Sequence, residues 1–298
     1  MSDQYVASSL PGYVNTNTIR DFETTPHFLG GAKPQGSSNK KIVLGINSLT
    51  ECQYPSYSNH IQMTYRFGRS YANYDFCLVN PSRMSIDRMR NLAAKTALEI
   101  EAEFLLFVDD DVLVPHDGLC KLLEACKAGA DVAAGKAVIR GYPFDWMVFT
   151  KFDEETGKGL ETYKELPKEG VIEVGATGFC FTLIRTELFK KMRPPFFLTA
   201  LNHTEDIWFY RKALEANSGS KFVVDCSVDC GHILWPEVMN SENREHYREY
   251  MEKCNPDLKP ENMVGYNEQK KQKDRPASYA EQVKKAADFA RAEEMPLA

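Results

Sequence analysis

Two mainly apolar runs constrain this chain more than any other feature of its sequence: KIVLGINSL over 41–49 and FLLFV over 104–108. Both are short, and neither alternates between apolar and polar residues, so each predicts a β-strand that is buried on both faces. Strands of this kind belong to parallel sheets whose two faces are covered by helices. The two runs therefore predict an α/β domain whose folded body begins at Lys41.

A different period follows Ser85, where apolar residues recur every three or four positions with charged residues between them. That spacing predicts an amphipathic helix, with Ser85 or Ser82 as its cap. YDFCLV over 74–79 predicts a strand before this helix, and a helix over 117–127 and a strand in DVAAGKAVI follow FLLFV. The order strand, helix, strand, helix, strand predicts an α/β fold with a mainly parallel sheet flanked by helices.

The second half of the chain continues with strands and helices of a different order. VIEVGATGFCFTLIRTELFKKM predicts a strand, a glycine-containing loop, a strand and a short helix, and KFVVDCSVDCGHI predicts a further strand. TEDIWFYRKALEA predicts a helix capped by Thr204, with acidic residues in its first turn. We expect three regions: an irregular N-terminal arm over 1–40, one α/β domain over 41–238, and a charged, helical C-terminal extension over 239–298.

Composition limits the classes of function. The chain has 298 residues and a net charge of -6, which argues against a broad basic surface for nucleic acid, although a local basic groove stays open. No apolar run is long enough to span a membrane and no signal peptide is recognisable, so we expect a cytoplasmic protein. Eight scattered cysteines without a CxxC pair fit a reducing compartment. Cys226, Cys230 and His232 come nearest to a metal cluster, but alternation along the strand turns both cysteines inward, and we predict core thiols.

Three consecutive carboxylates, Asp109, Asp110 and Asp111, follow directly after the FLLFV run. Ligands bind open α/β sheets at the carboxyl ends of the strands, and like charges packed there repel unless a cation or protons compensate. A divalent cation with hard oxygen ligands is their simplest use. Because side chains alternate, Asp109 and Asp111 face one site while Asp110 points elsewhere, for example toward a ribose. A solvated acidic turn or a helix cap is the alternative.

The ordered set of LGI in the first strand, a helix with Arg88 and Asn91, FVDDDV, VGATGFCF, TEDIWF and VDCSVDCGHI resembles glycosyltransferases of the GT-A fold. The likeness is close to family 2 and to uncharacterised bacteriophage-encoded members of that group, and it covers about residues 41–235. The resemblance implies a Rossmann-like GT-A sheet. For a phage-encoded enzyme it also implies a location in the host cytoplasm. The DxD motif alone is unspecific, whereas its order with a later ED pair and a late histidine is much more specific.

The resemblance also implies a metal site and a donor site. Asp109 and Asp111 match the DxD acids, and His232 matches the late histidine that completes a Mn²⁺ or Mg²⁺ site on the diphosphate of a sugar nucleotide. A satisfied strand-end histidine is the ordinary alternative for His232. Asp110 is expected toward the ribose of the same donor.

Further donor contacts are expected from several loop and helix residues. Asn47 and Ser48 follow the first strand, where the resembling enzymes begin to hold base and ribose, and a plain polar loop is the alternative. Arg88 is expected near phosphates or base, although exposed helical arginines are common. Gly175 and Gly178 in the GATG loop let backbone approach the donor sugar and acceptor closely. The loop lacks the spacing of a GxGxxG nucleotide fingerprint.

Glu205 and Asp206 match the ED motif, in which the aspartate serves as general base toward the acceptor hydroxyl; stabilisation of a helix N-terminus is the alternative. We therefore expect a metal-dependent hexosyl- or pentosyltransferase that takes a sugar from a nucleotide-diphosphate donor, a UDP-sugar above others, to a hydroxyl acceptor, with inversion. The acceptor stays open between a glycan and modified DNA. One alternative has hydroxymethylated bases of phage DNA as acceptor. Others are a nucleotidyltransferase and a non-catalytic sugar-nucleotide-binding protein.

Overall fold

An eight-stranded sheet forms the centre of the computed structural model, which describes residues 27–29, 39–48, 52–81, 84–150, 161–200, 203–234 and 237–254. The strands of the described chain are β1 (His27–Leu29), β2 (Lys40–Asn47), β3 (Tyr74–Val79), β4 (Phe104–Asp109), β5 (Val112–Leu113), β6 (Val132–Lys136), β7 (Val148–Phe149), β8 (Val171–Glu173), β9 (Ala176–Thr177), β10 (Phe181–Arg185), β11 (Phe222–Asp229), β12 (Gly231–Leu234) and β13 (Glu237–Met239). The helices are α1 (Tyr54–Ser70), α2 (Ile86–Glu99), α3 (Gly118–Lys127), α4 (Thr186–Lys191), α5 (Glu205–Ala216) and α6 (Arg244–Cys254).

The large sheet has the strand order β1-β3-β2-β4-β10-β6-β11-β8. β2 pairs in parallel with β3 and β4, and β6 pairs in parallel with β11. β10 is antiparallel to both of its neighbours, β4 and β6. Five strands (β2, β3, β4, β6 and β11) thus share one direction, and helices flank the sheet. The predicted α/β class, a Rossmann-like, mixed and mainly parallel sheet, is confirmed.

The two apolar runs form the most deeply buried strands. Ile42, Val43 and Leu44 in β2 are 0% exposed, and every residue of β4 before Asp109 is at most 1% exposed. Gly45 has a packing reason, because a Cβ there would lie 3.0 Å from the ring of Phe107 and 3.3 Å from Ala93. Burial on both faces explains why neither run alternates with polar residues.

The predicted helix after Ser85 is confirmed as α2, and the helix expected over 117–127 as α3. The sequence did not predict α1, although its 17 residues make it the longest helix of the described chain. The reason lies in its buried face, where Ser56 and His60 stand beside Met63 and Phe67. Two of the four inward positions are polar, and this weakens the apolar period on which such predictions depend.

Two compact units divide the chain, Met1–Glu245 and His246–Ala298. β1 lies within the predicted N-terminal arm and pairs antiparallel with β3 at the sheet edge; most of the remaining arm lies outside the described residues. In the C-terminal extension α6 is described, whereas everything after Cys254 lies outside the described part. Within the described ranges, no helix combines the length and the apolar character needed to cross a bilayer.

Candidate active site

A cleft of about 410 Å³ opens at the carboxyl ends of β2 and β4. Asn47 and Asp109 end these neighbouring parallel strands and are register partners. The cleft is lined by Asn47, Ile86, Met89, Arg90, Asp109, Asp110, Asp111, Arg140, Met147, Phe179, Cys180, Thr204, Glu205, Asp206 and His232. Side chains from distant parts of the chain thus converge where an open α/β sheet binds its ligands.

Arg90 is the charged centre of this cleft. Its side chain is 3% exposed, its Nε donates to Glu205 Oε1 at 3.0 Å, and its Nη2 donates to Asp109 Oδ1 and Oδ2 at 3.2 and 3.3 Å. The guanidinium packs 5.0 and 5.1 Å from the ring centroids of Phe107 and Phe179. Burial disfavours the charged guanidinium, but the two carboxylates outweigh that effect and raise the pKa of Arg90. Arg90 therefore holds β4 and α5 together through a buried ion triad.

Asp109 is an acid with an unusual proton affinity. Burial, together with the nearby acids Asp111 and Glu205, raises the pKa of its carboxyl to about 6, against the opposing charge of Arg90. A carboxyl in that range changes charge near neutral pH, and such groups concentrate at functional sites. Structural ion networks also shift pKa values, so this shift alone assigns no chemistry.

Asp111 is bound by two basic side chains. Arg140 Nη1 lies 2.7 Å from its Oδ2, and His232 Nε2 lies 3.5 Å from its Oδ1. Burial acts to raise the pKa of Asp111, but His232 and Arg140 outweigh it and lower that pKa. The contact depends on the short strands, because β12 pairs with β5 directly after the aspartates.

The other ring nitrogen of His232 defines its tautomer. Nδ1 lies 2.7 Å from the carbonyl oxygen of Val138, and because a carbonyl only accepts, Nδ1 carries the hydrogen. A neutral His232 thus directs the lone pair of Nε2 toward Asp111 Oδ1. Two electron-pair donors that face each other at this distance favour a proton or a cation between them.

The acidic pair at the start of α5 has two different environments. Glu205 accepts from Arg90, whereas the half-buried Asp206 accepts from Thr204 Oγ1 and from its neighbour Ile207 through the backbone N–H at 2.8 Å. Burial and the charge of Glu205 raise the pKa of Asp206. Asp206 thus combines a place in the cleft with increased basicity, as a general base requires.

Asn47 is a buried amide without a partner. Its side chain is 3% exposed, and neither its Oδ1 nor its Nδ2 has a hydrogen bond within the described structure. Leaving such a group unpaired costs about 1–3 kcal/mol. An amide in this state at the floor of a cleft is consistent with a ligand that supplies both a donor and an acceptor.

Most of the remaining predicted positions do not line the cleft. Ser48, Arg88, Gly175 and Gly178 are not among the residues that line the cleft in the described structure. The backbone N–H of Gly175 donates to Phe149, and that of Gly178 donates to the carbonyl of Met147. Asp110 does line the cleft, and its carbonyl accepts from the thiol of Cys52 at 3.3 Å.

Arg90 and Arg140 are cleft residues that sequence reasoning missed. For Arg90 a signal existed, because it lies three and seven positions before Ala93 and Ala97, two fully buried residues of α2. Positions with that spacing share one helix face. Arg88 occupies a different face and is exposed. No comparable pattern marks Arg140, which lies in an irregular segment.

The burial of Cys226 and Cys230 agrees with the prediction of core thiols. Cys226 and Cys230 are unpaired and 0% exposed. Among the described residues, no three His, Cys, Asp or Glu side chains are grouped closely enough to enclose a metal ion by themselves.

A second recess, of about 510 Å³, lies at the opposite end of β2 and β4. Four of its charged side chains pair with one another: Lys40 with Glu103 at 2.8 Å, and Lys190 with Glu187 at 2.8 Å. Ion pairs at an exposed surface contribute little and need no ligand. The cleft at the carboxyl edge is therefore the better candidate for chemistry.

Comparisons with known proteins support the fold. The chain matches no protein-family model and no curated protein. Among solved structures it is similar to A197 from STIV, with 19% sequence identity and a TM-score of 0.50, over 68% of this chain and 91% of that chain. At this identity the likeness concerns the fold alone, and it agrees with the Rossmann-like α/β sheet.

Proposed function

We propose that this protein is a metal-dependent glycosyltransferase that moves a sugar from a nucleotide-diphosphate sugar, with a UDP-sugar favoured, to a hydroxyl acceptor. One observation carries the proposal: a single cleft contains the facing pair of Asp111 and His232 and, on a separate helix, the carboxylate of Asp206 with a raised pKa. Transfer to a hydroxyl requires these two parts, a place for the departing diphosphate and a base for the acceptor.

The donor set of the cleft fits Mn²⁺ or Mg²⁺. Mg²⁺ is usually bound through one or two carboxylates together with substrate phosphates, not by a complete protein cage, and carboxylates suit Mn²⁺ as well. Asp111 and His232 would hold it, and the hydrogen bond from His232 Nδ1 to Val138 already presents the correct nitrogen. Asp109, also expected as a ligand, accepts from Arg90 with both oxygens, and we assign it to the ion triad first. When bound, the cation would stabilise the charge that develops on the departing diphosphate.

Donor binding would use the unpartnered amide of Asn47. One amide offers a donor and an acceptor side by side, and the imide edge of uracil presents the complementary pair. Arg140, half-exposed at the cleft rim, is bonded to Asp111 and is suited to bind a phosphate oxygen there. These two residues support a nucleotide with its base toward β2 and its phosphates toward β4.

Asp206 would act as the base. Its carboxylate takes the proton of the acceptor hydroxyl, and the acceptor oxygen forms a bond to the anomeric carbon. The bond from that carbon to the phosphate oxygen breaks, its electron pair leaves with the nucleoside diphosphate, and a single displacement inverts the anomeric centre. Glu205 is bonded to Arg90, so we assign it to positioning Arg90 and not to proton transfer.

A thermal-shift screen of the full chain tests the proposal, because a ligand that binds only the folded state raises its stability. UDP-, GDP-, CDP- and dTDP-sugars are compared with and without Mn²⁺. We expect a Mn²⁺-dependent shift with a UDP-sugar that Asp111→Asn and His232→Gln abolish. Asp117→Asn, a carboxylate with 60% side-chain exposure outside the cleft lining, is the matched control and should keep the shift.

Product analysis then separates the rival functions. Release of UDP in the presence of an acceptor supports transfer, whereas release of pyrophosphate indicates a nucleotidyltransferase. Binding that is lost in Asp111→Asn, with no turnover in the wild type, indicates a sugar-nucleotide-binding protein. The absence of a metal-dependent shift with all four donors would reject the proposal.

A further inference from the structure

The outer face of α1 carries an unusual group of exposed side chains. Tyr54, Tyr57, Ile61 and Tyr65, called the tyrosine stripe below, are 78%, 54%, 49% and 63% exposed. They are four of the six large hydrophobic side chains that are exposed in the described residues. Scattered single cases are normal, but a concentration on one helix indicates a surface that binds something.

The tyrosine stripe is straight and faces away from the core. Its positions are separated by three, four and four residues, so the side chains share one helix face over a length of about 16 Å. The buried residues of α1, among them Met63 and Phe67, lie on a different face. Core packing therefore does not account for these tyrosines.

Hydrogen bonds connect α1 and the residue Cys52 before it to the segment over 110–114, which contains the last two aspartates and the residues after them. The thiol of Cys52, two residues before Tyr54, donates to the carbonyl of Asp110 at 3.3 Å. Asn59 exchanges two hydrogen bonds with the backbone of Val114, at 3.1 and 2.9 Å, and His60 Nε2 donates to the carbonyl of Val112 at 2.9 Å. These bonds connect α1 to the backbone of the segment that contributes Asp110 and Asp111 to the cleft.

We propose that the tyrosine stripe binds the linear saccharide chain of the acceptor and leads its terminal hydroxyl into the cleft. The inference rests on the proposed function, because it supplies the acceptor that the function leaves open. A pyranose ring has an apolar face of C–H groups and a rim of hydroxyls. A tyrosine presents the matching surface, a flat ring with a polar edge, at a low cost in conformational entropy.

The size of the stripe argues against a second copy of the chain as the occupant. A large aromatic side chain offers about 150–250 Å² when fully buried, so at these exposures the stripe offers on the order of 500 Å². A stable protein interface needs about 800 Å² from each partner. The stripe is therefore too small for a stable dimer, while its length suits a chain of a few rings.

Charge argues against single-stranded nucleic acid. Stacking surfaces for nucleic acid are combined with a positively charged groove that follows the phosphates. α1 carries two arginines, Arg66 and Arg69, and the guanidinium of Arg69 already lies 5.6 Å from the ring of Tyr65 with Nη1 bonded to its hydroxyl. At the other end, Tyr54 lies two residues after Cys52, whose thiol bonds to the backbone of the cleft residue Asp110. A saccharide chain tolerates this distribution of charge.

The test measures binding of linear hexasaccharides to the full-length chain by calorimetry. The probes are hexamers of glucose, N-acetylglucosamine, mannose and galacturonic acid, with the monosaccharides alongside. We expect at least one hexamer to bind and its monosaccharide to bind far more weakly. The triple variant Tyr54→Ala, Tyr57→Ala, Tyr65→Ala should bind that hexamer about tenfold or more weakly. The corresponding triple Tyr→Phe variant, which keeps the rings, should stay within about threefold.

Tyr250→Ala removes a tyrosine with 56% exposure on another helix and should leave hexamer affinity unchanged. The proposal is overturned if no hexamer binds, if the triple alanine variant binds as tightly as the wild type, or if the phenylalanine variant loses as much as the alanine variant. Binding of a single-stranded DNA through the same tyrosines, or a dimer that they control, would also overturn it. The shift with UDP-sugar and Mn²⁺ is measured separately, so hexamer binding without that shift rejects the proposed function and leaves a glycan-binding surface.

Discussion

Replacing Arg90 by methionine is the change that tests the ion triad most directly. Methionine keeps much of the side-chain length and removes the charge, so Asp109 and Glu205 lose the donor that now lies 3.0–3.3 Å from their oxygens. With side-chain exposures of 22% and 10%, these carboxylates have little water to replace it. Their mutual repulsion and their desolvation then oppose folding.

The expected loss is about 3–5 kcal/mol, as found when one member of a buried charged pair is removed. Loss of the contacts of the guanidinium with Phe107 and Phe179 increases this destabilisation by at most about 2 kcal/mol, the value for a desolvated cation–π contact. Protonation of Asp109 limits the total, because Arg90 is the main group that opposes the effect of burial on its pKa. Without Arg90 this pKa rises above about 6, and the acid becomes neutral near physiological pH.

This mechanism predicts a dependence on pH with a defined sign. In the folded wild type the pKa of Asp109 is about 6, above the ordinary 3.8, so the folded state holds more protons than the unfolded state between these values. Stability therefore falls as the pH rises through that window. In Arg90→Met the stability continues to fall up to a higher pH. The difference in free energy of unfolding between the variant and the wild type should therefore be larger at about pH 8 than at about pH 5.

The assay is urea unfolding followed by tryptophan fluorescence and circular dichroism at both pH values, without added metal. Arg88→Met, on the same helix but exposed, is the matched control and should stay within about 0.5 kcal/mol of the wild type. In Arg90→Met/Asp109→Asn/Glu205→Gln the uncompensated charges are gone, so part of the lost stability should return. A loss below about 1 kcal/mol, or an equal loss at both pH values, would refute the reasoning.

Three further predictions concern the surroundings of single residues. Asn47→Leu removes a buried amide without partners, so the ligand-free protein should be at least as stable as the wild type. The thermal shift with UDP should be lost. A ligand-free variant that is less stable than the wild type would contradict this. Thr204→Val removes a hydrogen bond that lowers the pKa of Asp206. The acidic limb of the pH profile of kcat/KM should therefore move to higher pH. A limb that stays in place would exclude Asp206 as the base. Gly135→Ala adds a methyl group 2.8 Å from two side chains and 2.9 Å from a carbonyl oxygen, so it should lower the free energy of unfolding by about 1–3 kcal/mol. Gly68→Ala, with open space around it, should raise the free energy of unfolding by up to about 1 kcal/mol. Thermal unfolding of both variants measures the two effects.

The sequence predicted the central part of the fold because its signals are local. A run buried on both faces is continuously apolar, and a helix with one buried face repeats every three or four residues, so β2, β3, β4 and α2 were visible without a structure. α1 was not, because Ser56 and His60 occupy two of its inward positions. Their burial depends on hydrogen bonds to Gln53 and Val112, and such bonds leave no periodic pattern in a sequence.

The candidate site also has one part that the sequence determined and another that only the tertiary structure decided. That Asn47 and Asp109 share one edge was determined by the sequence, since neighbouring parallel strands end together. That Arg90 and not Arg88 enters the cleft, and that it bonds to Glu205 at a separation of 115 residues, was decided by the tertiary structure. The contact of Asp111 with His232 likewise depends on the pairing of β5 with β12. Local spacing determines which face of its own element a side chain occupies, but packing alone determines which distant charge that face meets.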